Sequence, residues 1–425
     1  MKLFANKSRL KGEVTIPGSK SHTIRAVAIA SLAEGKSLIR NPLVSADTLS
    51  AVGCYRLLGA VIDTSDTKLW SVKGTGGKIL GAGKPIDVGN SGTTLRIGAG
   101  SAALGGPDKK IIMTGDSQIQ SRPIGPLLEA LNKLGANCRS INNNGKAPVE
   151  IAGRIRGGKT EIEAFTSQYL SSLLLCTPLA DGDSKIDVTL LNEPGYVQMT
   201  LDWLDKQKIE YENKNFKKFN VKGGQKFTSF NSEIPADFSS ATFFLCAAAL
   251  FGDEVTLRGL DFSDSQPDKA VVDYLKEMGA DITIAENCIT IKAGQLKGAK
   301  IDMNKTPDAL PAMAVVGAFA EGETKLLNVP QARSKETDRI RCMTQELKKM
   351  NIGVEELPAG LIIKKSRVKA AELDGRSDHR IVMALAIAAM AVEGQSSIET
   401  AEAMNVTFPD YVKLMGILGA NLELR

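Results

Sequence analysis

The sequence repeats one pattern six times, at intervals of about 70 residues. In each copy an Ala-rich, apolar stretch of helical character ends at a glycine. The six glycines are Gly35, Gly105, Gly182, Gly252, Gly322 and Gly394. Internal repetition of this kind predicts an array of similar supersecondary units, and it therefore limits the possible folds more than any single motif does.

Each repeat continues in the same way after its glycine. A short segment rich in β-branched residues, such as DEVTLRGL at 253–260, favours a strand. A second helical segment follows and tends to close on Leu-Gly-Ala, as in LEALNKLGANC at 128–138, with another strand behind it. The pattern predicts strand, helix, strand, helix, strand. The Ala-rich helices are apolar on nearly all sides and should be buried, whereas amphipathic helices such as AVVDYLKEMG at 270–279 should form an outer layer.

The repeats also predict how the chain divides. Three copies lie on each side of about residue 230, which favours two lobes of three units each. One continuous solenoid is the alternative, although Leu-rich and ankyrin-type signatures are missing. A chain of 425 residues, 43% of them hydrophobic, is long enough to fill two or three cores.

Charge and cysteine usage exclude several classes of protein. The 53 basic and 48 acidic residues give a net charge of +5 and are dispersed, which disfavours nucleic acid and leaves small anions as partners. The six cysteines are widely spaced and His22 and His379 are the only histidines, so reduced thiols and no metal site are predicted. The first residues lack the apolar core of a signal peptide, and apolar runs are too broken to span a bilayer. A cytoplasmic protein without a membrane partner is expected.

Polar residues recur at one place in the repeats, about 14 residues before the closing glycine. This is the predicted N-terminal end of each Ala-rich helix. The clusters are Lys20-Ser21 with Arg25, Asn90-Ser91-Gly92-Thr93-Thr94 with Arg96, Ser167-Gln168, Asp237 with Ser239-Ser240, Asp308, and Asp378-His379-Arg380. Unbonded N–H groups and the positive end of the helix dipole suit such a place to anions. Because Lys or Arg belongs to three of these clusters, a site for small, multiply charged anions is predicted.

Each cluster also has a purely structural interpretation. Ser, Thr, Asn and Asp are ordinary helix caps, and the glycines of GNSGTT are compatible with a simple turn. Gly-Ser-Lys-Ser at 18–21 matches the end of a phosphate-binding loop, but the upstream glycine of that motif is missing. Lys335 and Arg339 are also compatible with a solvated helical face.

Nine motifs, in order and spacing, resemble those of the 5-enolpyruvylshikimate-3-phosphate synthase family of enolpyruvyl transferases. They are PGSKSHTIRA, GNSGTTLRIG, TGDSQIQSRPIGPLLEALNKLGA, TSQYLSSLLL, PADFSSATFFL, PDALPAMAV, RSKETDRI, DGRSDHRIVMA and FPDY. The resemblance implies an α/β fold, a two-lobed inside-out α/β barrel with six βαβαββ repeats, three per lobe. It also implies one lobe from residues 1–16 and 232–425, a second from 17–231, and an active site in the cleft between them.

The resemblance implies transfer of the enolpyruvyl group of phosphoenolpyruvate to the 5-hydroxyl of shikimate 3-phosphate, without a cofactor, by a monomer. Positions matching the shikimate 3-phosphate site are Lys20, Ser21, Arg25, Thr166, Ser167, Gln168, Tyr196, Asp308, Gln331 and Lys335. Positions matching the phosphoenolpyruvate site are Lys20, Gly92, Arg122, Gln168, Arg339 and Arg380. Asp308, Glu336 and Lys20 match catalytic positions, with Asp308 as the base for the hydroxyl and Glu336 or Lys20 as the proton donor to the methylene carbon.

Three residues depart from the family's pattern. Val406 stands where the family usually has a Lys for the phosphate of phosphoenolpyruvate, and Thr166 replaces the usual first Ser. Glu193 falls where a small hydroxyl residue is common, and its carboxylate would repel a phosphate if it pointed inward.

Two alternatives therefore stay open, an enolpyruvyl transferase with another acceptor and a non-catalytic anion-binding homologue. The branch that uses UDP-N-acetylglucosamine has Lys-Asn where this chain has Lys20-Ser21. It also has a reactive Cys where this chain has TGDSQIQSRP.

Overall fold

A computed structural model describes residues 1–81, 83–106 and 108–425 of the chain. In chain order the strands are β1 (Leu3–Asn6), β2 (Leu10–Thr15), β3 (Lys36–Arg40), β4 (Val61–Asp66), β5 (Leu69–Lys73), β6 (Ile86–Asp87), β7 (Ile111–Thr114), β8 (Ala136–Ser140), β9 (Val149–Gly153), β10 (Gly158–Ala164), β11 (Ser184–Leu191), β12 (Tyr211–Lys214), β13 (Lys218–Val221), β14 (Asn231–Glu233), β15 (Gly252–Arg258), β16 (Asp281–Ala285), β17 (Cys288–Lys292), β18 (Lys300–Asp302), β19 (Glu323–Leu327), β20 (Gly353–Leu357), β21 (Gly360–Lys364), β22 (Glu372–Asp374), β23 (Ser396–Glu399) and β24 (Asn421–Leu424).

The α-helices, in the same order, are α1 (Lys20–Leu32), α2 (Ala46–Leu57), α3 (Gly92–Ala102), α4 (Ser117–Ser121), α5 (Gly125–Lys133), α6 (Ser167–Cys176), α7 (Pro194–Lys206), α8 (Phe238–Phe251), α9 (Ala270–Glu277), α10 (Leu310–Phe319), α11 (Arg339–Lys349), α12 (His379–Met390), α13 (Met404–Thr407) and α14 (Tyr411–Ile417). In the part of the chain that the structure describes, no helix has both the length and the apolar character to cross a membrane.

The described chain divides into two compact units. The split unit comprises Met1–Pro17 and Pro235–Arg425, and the continuous unit comprises Gly18–Ile234. Each unit has its own hydrophobic core.

Within the described residues the strands form six four-stranded sheets of one topology. In each sheet the first two strands are parallel and the other pairs are antiparallel. The continuous unit has the orders β14-β3-β5-β4, β6-β7-β9-β8 and β10-β11-β13-β12. The split unit has the orders β2-β15-β17-β16, β18-β19-β21-β20 and β22-β23-β1-β24. Strands β1 and β2 thus complete sheets of the split unit.

The sheets confirm the predicted α/β class with six βαβαββ repeats, but the unit read from the pattern alone lacked one strand. In the first sheet of the continuous unit, for example, β5 pairs with both β3 and β4. Only a short turn separates β4 from β5, and no helix lies between them. Since hydrophobic periodicity does not separate two short strands joined by such a turn, the pattern merged them.

The Ala-rich helices are buried, as predicted. Every residue of α8 from Phe238 to Ala249 is buried, and α8, α10 and α12 contact one another inside the split unit. In the continuous unit α3 contacts both α1 and α6. A Cβ atom built on Gly100 of α3 would lie 2.4 Å from Oγ of Ser172 on α6, so this contact requires glycine. The amphipathic α9, in contrast, buries Val271, Val272 and Leu275 and exposes its charged side.

Candidate active site

The polar clusters lie at the N-terminal ends of the Ala-rich helices, as the sequence predicted. The helix starts are Lys20 for α1, Gly92 for α3, Ser167 for α6, Phe238 for α8, Leu310 for α10 and His379 for α12. The caps are Ser91, Asp237 and Asp378 of the clusters and Thr166 beside Ser167, because the side chains of these residues accept hydrogen bonds from backbone N–H groups of the first turn. The capping interpretation is therefore correct for these residues, and it coexists with a possible role in binding. Ser167, Ser239 and Asp308, which are cap types as well, do not cap these helices.

In the continuous unit, Lys20 is held by a carboxylate that the sequence analysis missed. Nζ of Lys20 lies 3.0 Å from Oδ2 of Asp47, in the first turn of α2, and both side chains are largely buried. Ser45 and Thr48 form a capping box around Asp47, so this stretch has the sequence of an ordinary helix start. Asp47 orients the ammonium group of Lys20.

Arg25 of α1 joins two other predicted residues. Its Nη1 donates to the backbone oxygen of Ser21 at 3.0 Å, and its Nη2 donates to the backbone oxygen of Tyr196 at 2.8 Å. Its Nε donates to Oγ1 of Thr200 at 2.9 Å. Burial lowers the pKa of Arg25 to about 10, so the guanidinium stays charged at neutral pH.

At the start of α6 a carboxylate already contacts the predicted anion site. Thr166 caps the helix by accepting from the N–H of Gln168. Ser167 donates from Oγ to Oε2 of Glu193 at 2.7 Å, and its backbone N–H donates to the same oxygen at 3.3 Å. Glu193 therefore points inward, toward the residues expected to bind a phosphate.

Gln168 connects α6 to the start of α3. Its Nε2 donates to Oγ1 of Thr93 at 3.1 Å, and its Oε1 accepts from Nη1 of Arg96 at 2.8 Å. A Cβ atom built on Gly92 would lie 2.5 Å from Nη1 of Arg96 and 2.9 Å from Nη1 of Arg122. Glycine at this position is therefore what allows two guanidinium groups to approach the helix end. Arg96 belonged to a predicted cluster but was not among the predicted binding residues.

In the split unit, Arg339 is the centre of a charged cluster. Its Nη1 donates to Oδ1 of Asp308 at 2.7 Å, its Nε donates to Oδ2 of Asp378 at 2.8 Å, and its Nη2 donates to Glu336 as well as to Asp378. The Arg339 side chain is only 1% exposed. Its guanidinium is thus largely engaged by carboxylates, and one of them, Asp378, was named only as a cluster member by the sequence analysis.

Asp308 has cations on both of its oxygens. Besides Arg339, Nη2 of Arg380 lies 3.1 Å from Oδ2 and Nζ of Lys335 lies 3.8 Å from Oδ1. Burial opposes ionisation of the carboxyl, but the charges of Arg380, Lys335 and Arg339 outweigh it and hold the pKa of Asp308 well below its usual range. Asp308 is therefore ionised at neutral pH. Three predicted site residues, Lys335, Arg339 and Arg380, lie close to its carboxylate.

Gln331, a predicted binding residue, and Val406, a departure from the family's pattern, also belong to the split unit. Gln331 is buried, and its Nε2 donates to the backbone oxygen of Asn304 at 3.0 Å. Among the atoms that the structure describes, Oε1 of Gln331 has no hydrogen-bond partner. Val406 lies on α13 and is partly exposed. Across the described residues, no three His, Cys, Asp or Glu side chains gather as a metal site requires.

Fixed cations at helix ends, together with an ionised carboxylate held among cations, are the groups that an α/β enzyme acting on small, multiply charged anions requires. The family model described as EPSP synthase (3-phosphoshikimate 1-carboxyvinyltransferase) matches residues 4–415. The chain belongs to this family, which confirms the resemblance carried by the nine motifs.

Individual relatives agree with this membership. A 3-phosphoshikimate 1-carboxyvinyltransferase of Acetivibrio thermocellus is 54% identical over 423 residues, covering 100% of this chain and 99% of the relative. One from Ruminiclostridium cellulolyticum is 50% identical over 424 residues, covering 100% of both. The solved EPSP synthase of Acinetobacter baumannii has 26% identity and a TM-score of 0.83, covering 100% of this chain and 99% of that one. The enolpyruvyl transferase NikO of Streptomyces tendae, at 16% identity and a TM-score of 0.77 over 99% and 98% of the chains, shows the fold alone.

Proposed function

We propose that the polar clusters of both units serve one reaction on phosphoenolpyruvate and shikimate 3-phosphate. As a member of its family the chain is a 3-phosphoshikimate 1-carboxyvinyltransferase, an enzyme of the shikimate pathway and of aromatic amino acid biosynthesis. It transfers the enolpyruvyl group to the 5-hydroxyl of shikimate 3-phosphate and releases phosphate. The main support for these catalytic and binding roles is the environment of Asp308, a carboxylate that is kept ionised among three cations.

The acceptor is bound by hydroxyl, amide and cationic groups in this proposal. Thr166 and Ser167 at the start of α6 bind its phosphate, with Lys20, Ser21 and Arg25. This role is supported by N–H groups at a helix end, which favour phosphate. A second set binds the ring and its hydroxyls, namely Gln168, Tyr196, Asp308, Gln331 and Lys335. The buried Oε1 of Gln331 supports this second role, since a buried acceptor atom is normally paired and a substrate hydroxyl supplies the donor.

The donor is bound by Lys20, Gly92, Arg122, Gln168 and Arg380. Lys20 is oriented by Asp47, and Gln168 is oriented by Arg96. Arg339 was also predicted to bind phosphoenolpyruvate. Its bonds to three carboxylates support a different main role, which is to hold Asp308 and Glu336 in place. The three cations of this set, Lys20, Arg122 and Arg380, stabilise the departure of the phosphate more than its bound ground state.

The reaction proceeds by addition and elimination. Asp308 takes the proton of the 5-hydroxyl while that oxygen bonds to C2 of the enol, and Glu336 or Lys20 gives a proton to C3. The resulting tetrahedral intermediate then loses a proton from C3 and the bond from C2 to the phosphate oxygen, so the double bond re-forms. Because the charges of Arg380, Lys335 and Arg339 depress its pKa, Asp308 becomes a stronger base when Arg380 and Lys335 turn to the substrate phosphates.

The working form is a monomer of the cytoplasm in this proposal. All six cysteines are free thiols, which fits a reducing compartment. The steps above use side chains and substrates alone, and no cofactor takes part.

Gly92→Ala is expected to raise KM for phosphoenolpyruvate by about 10-fold or more, because the new methyl group displaces the guanidinium groups of Arg96 and Arg122. Steady-state phosphate release at varied phosphoenolpyruvate measures the effect. Gly53→Ala is the matched control, since a Cβ atom at this helical position meets no atom within 4 Å. Equal KM values for the two variants would contradict the assignment of Gly92 to the donor site.

The assigned reaction is tested by phosphate release from phosphoenolpyruvate with three acceptors in parallel, shikimate 3-phosphate, shikimate and UDP-N-acetylglucosamine. Release that depends on shikimate 3-phosphate is expected, despite Val406. Folded protein that binds phosphoenolpyruvate but releases phosphate only with another acceptor would assign it to a different branch. A protein that binds both substrates and never releases phosphate would be a non-catalytic homologue.

A further inference from the structure

The carboxylate of Glu193 occupies the end of α6 to which the phosphate of the acceptor is assigned. Its Oε2 accepts both the Oγ–H of Ser167, at 2.7 Å, and the backbone N–H of Ser167, at 3.3 Å. The residue is only 2% exposed. These two donors are the groups that a phosphate oxygen would use at the same helix end.

The backbone fixes Glu193 in this orientation. The residue lies in the turn between β11 and α7 and has the left-handed angles φ 59° and ψ 48°. A non-glycine residue adopts this conformation only when its surroundings hold it there. The adjacent Asn192 donates from Nδ2 to the backbone oxygen of Phe165 at 3.0 Å, which ties the turn to the segment that leads into α6. The carboxylate is thus placed by the fold.

The carboxylate of Glu193 and a phosphate of the acceptor compete for the donors of Ser167 at the start of α6. The positive end of α6 attracts either anion. A phosphate dianion cannot take the donors of Ser167 while a carboxylate oxygen remains 2.7 Å from the same hydroxyl, because like charges at that separation repel strongly. Binding of the acceptor therefore requires the carboxylate to release Ser167.

We propose that Glu193 is a built-in competitor for the phosphate of the acceptor, and that it reduces the preference of the enzyme for shikimate 3-phosphate over shikimate. This rests on the proposed function of α6 in binding that phosphate. The carboxylate accepts the hydrogen bonds of Ser167 and thereby lowers the affinity for shikimate 3-phosphate. Since unphosphorylated shikimate brings no phosphate to Ser167, Glu193 lowers the affinity for shikimate 3-phosphate more than the affinity for shikimate.

The test compares Glu193→Gln with the unchanged enzyme. Glutamine keeps the size of the side chain and a hydrogen-bond acceptor for Ser167 but removes the charge. KM for shikimate 3-phosphate is expected to fall by about 10-fold, while KM for phosphoenolpyruvate and kcat change by less than about twofold. The ratio of kcat/KM for shikimate 3-phosphate to that for shikimate is expected to rise by about 10-fold. Glu163→Gln is the matched control, because it removes the same charge from an exposed position on β10.

An unchanged or higher KM for shikimate 3-phosphate in Glu193→Gln, relative to Glu163→Gln, overturns the inference. A crystal structure of the unchanged enzyme with shikimate 3-phosphate tests it without any variant. The expected structure has Ser167 bonded to the phosphate and separated from Glu193. A bond between Ser167 and Glu193 that persists in the complex overturns the inference as well.

Calorimetric titration with shikimate 3-phosphate alone separates this inference from the assigned reaction. Tighter binding by Glu193→Gln, without turnover in either protein, supports the role of Glu193 and overturns the reaction. Turnover in both proteins, with equal affinity for the acceptor, overturns the role of Glu193 alone.

Discussion

Asp308→Asn is expected to lower kcat by about 10²- to 10⁴-fold, the range usual for loss of a general base. Asparagine has nearly the same shape as the carboxylate, but it cannot accept the proton of the 5-hydroxyl. It also leaves Arg339, Arg380 and Lys335 with one negative charge fewer among them. Phosphate release at saturating phosphoenolpyruvate and shikimate 3-phosphate measures kcat directly.

Asp281→Asn controls for the loss of one carboxylate from the same unit, because Asp281 is exposed on β16. It should leave kcat within about twofold of the unchanged enzyme, as expected for a surface change away from the reacting groups. An Asp308→Asn enzyme with kcat within tenfold of the unchanged one would show that Asp308 is not the base. Glu336→Gln, measured beside it, then identifies whether the second carboxylate carries that step.

Local sequence pattern was sufficient for the architecture because the same pattern occurs six times. Apolar helices that end at glycine, such as α8 before Gly252, have few alternatives to burial, and the structure buries them. The pattern failed where the signal is short. Strands β4 and β5 are joined by a turn too brief to break the periodicity, so the fourth strand of each sheet came only from the family resemblance.

The positions of candidate residues were predictable where a polar cluster coincides with a helix start, as at Lys20 and Ser167. The contacts of such residues were not predictable where a partner comes from a distant part of the chain. Arg25 donates to Thr200, 175 residues further on, and Lys20 pairs with Asp47, whose local sequence has the form of a cap. Neither contact leaves a periodic pattern or a characteristic spacing in the sequence, because tertiary packing alone brings the two residues together.

Asp378→Asn is expected to lower the free energy of unfolding of the split unit by about 3 kcal/mol. Asp378 is fully buried and accepts two hydrogen bonds from Arg339, which is itself buried. The substitution leaves that guanidinium with less compensating charge, and removal of one partner from a buried pair is costly. Asparagine can still cap α12 by accepting from the N–H of Arg380, so the loss of charge dominates.

The pH dependence of the stability lost in Asp378→Asn distinguishes an effect of charge from an effect of packing. Burial opposes ionisation of Asp378, but the attraction of Arg339 outweighs it and lowers the pKa below the ordinary value of 3.8. A carboxyl whose pKa is lower in the folded state contributes stability above the unfolded pKa and loses it as pH falls through the folded pKa. The difference between the unchanged protein and Asp378→Asn should therefore be full at pH 6 to 7 and shrink below about pH 4.

Urea unfolding followed by circular dichroism measures this difference. Tryptophan fluorescence is unsuitable, because both tryptophans, Trp70 and Trp203, belong to the continuous unit and do not report on the split unit. Asp410→Asn is the control, since Asp410 is exposed before α14 and makes no side-chain cap. It should change the free energy of unfolding by less than about 0.5 kcal/mol. A loss in Asp378→Asn that stays constant down to pH 3 would assign the effect to packing and not to the ion pair with Arg339.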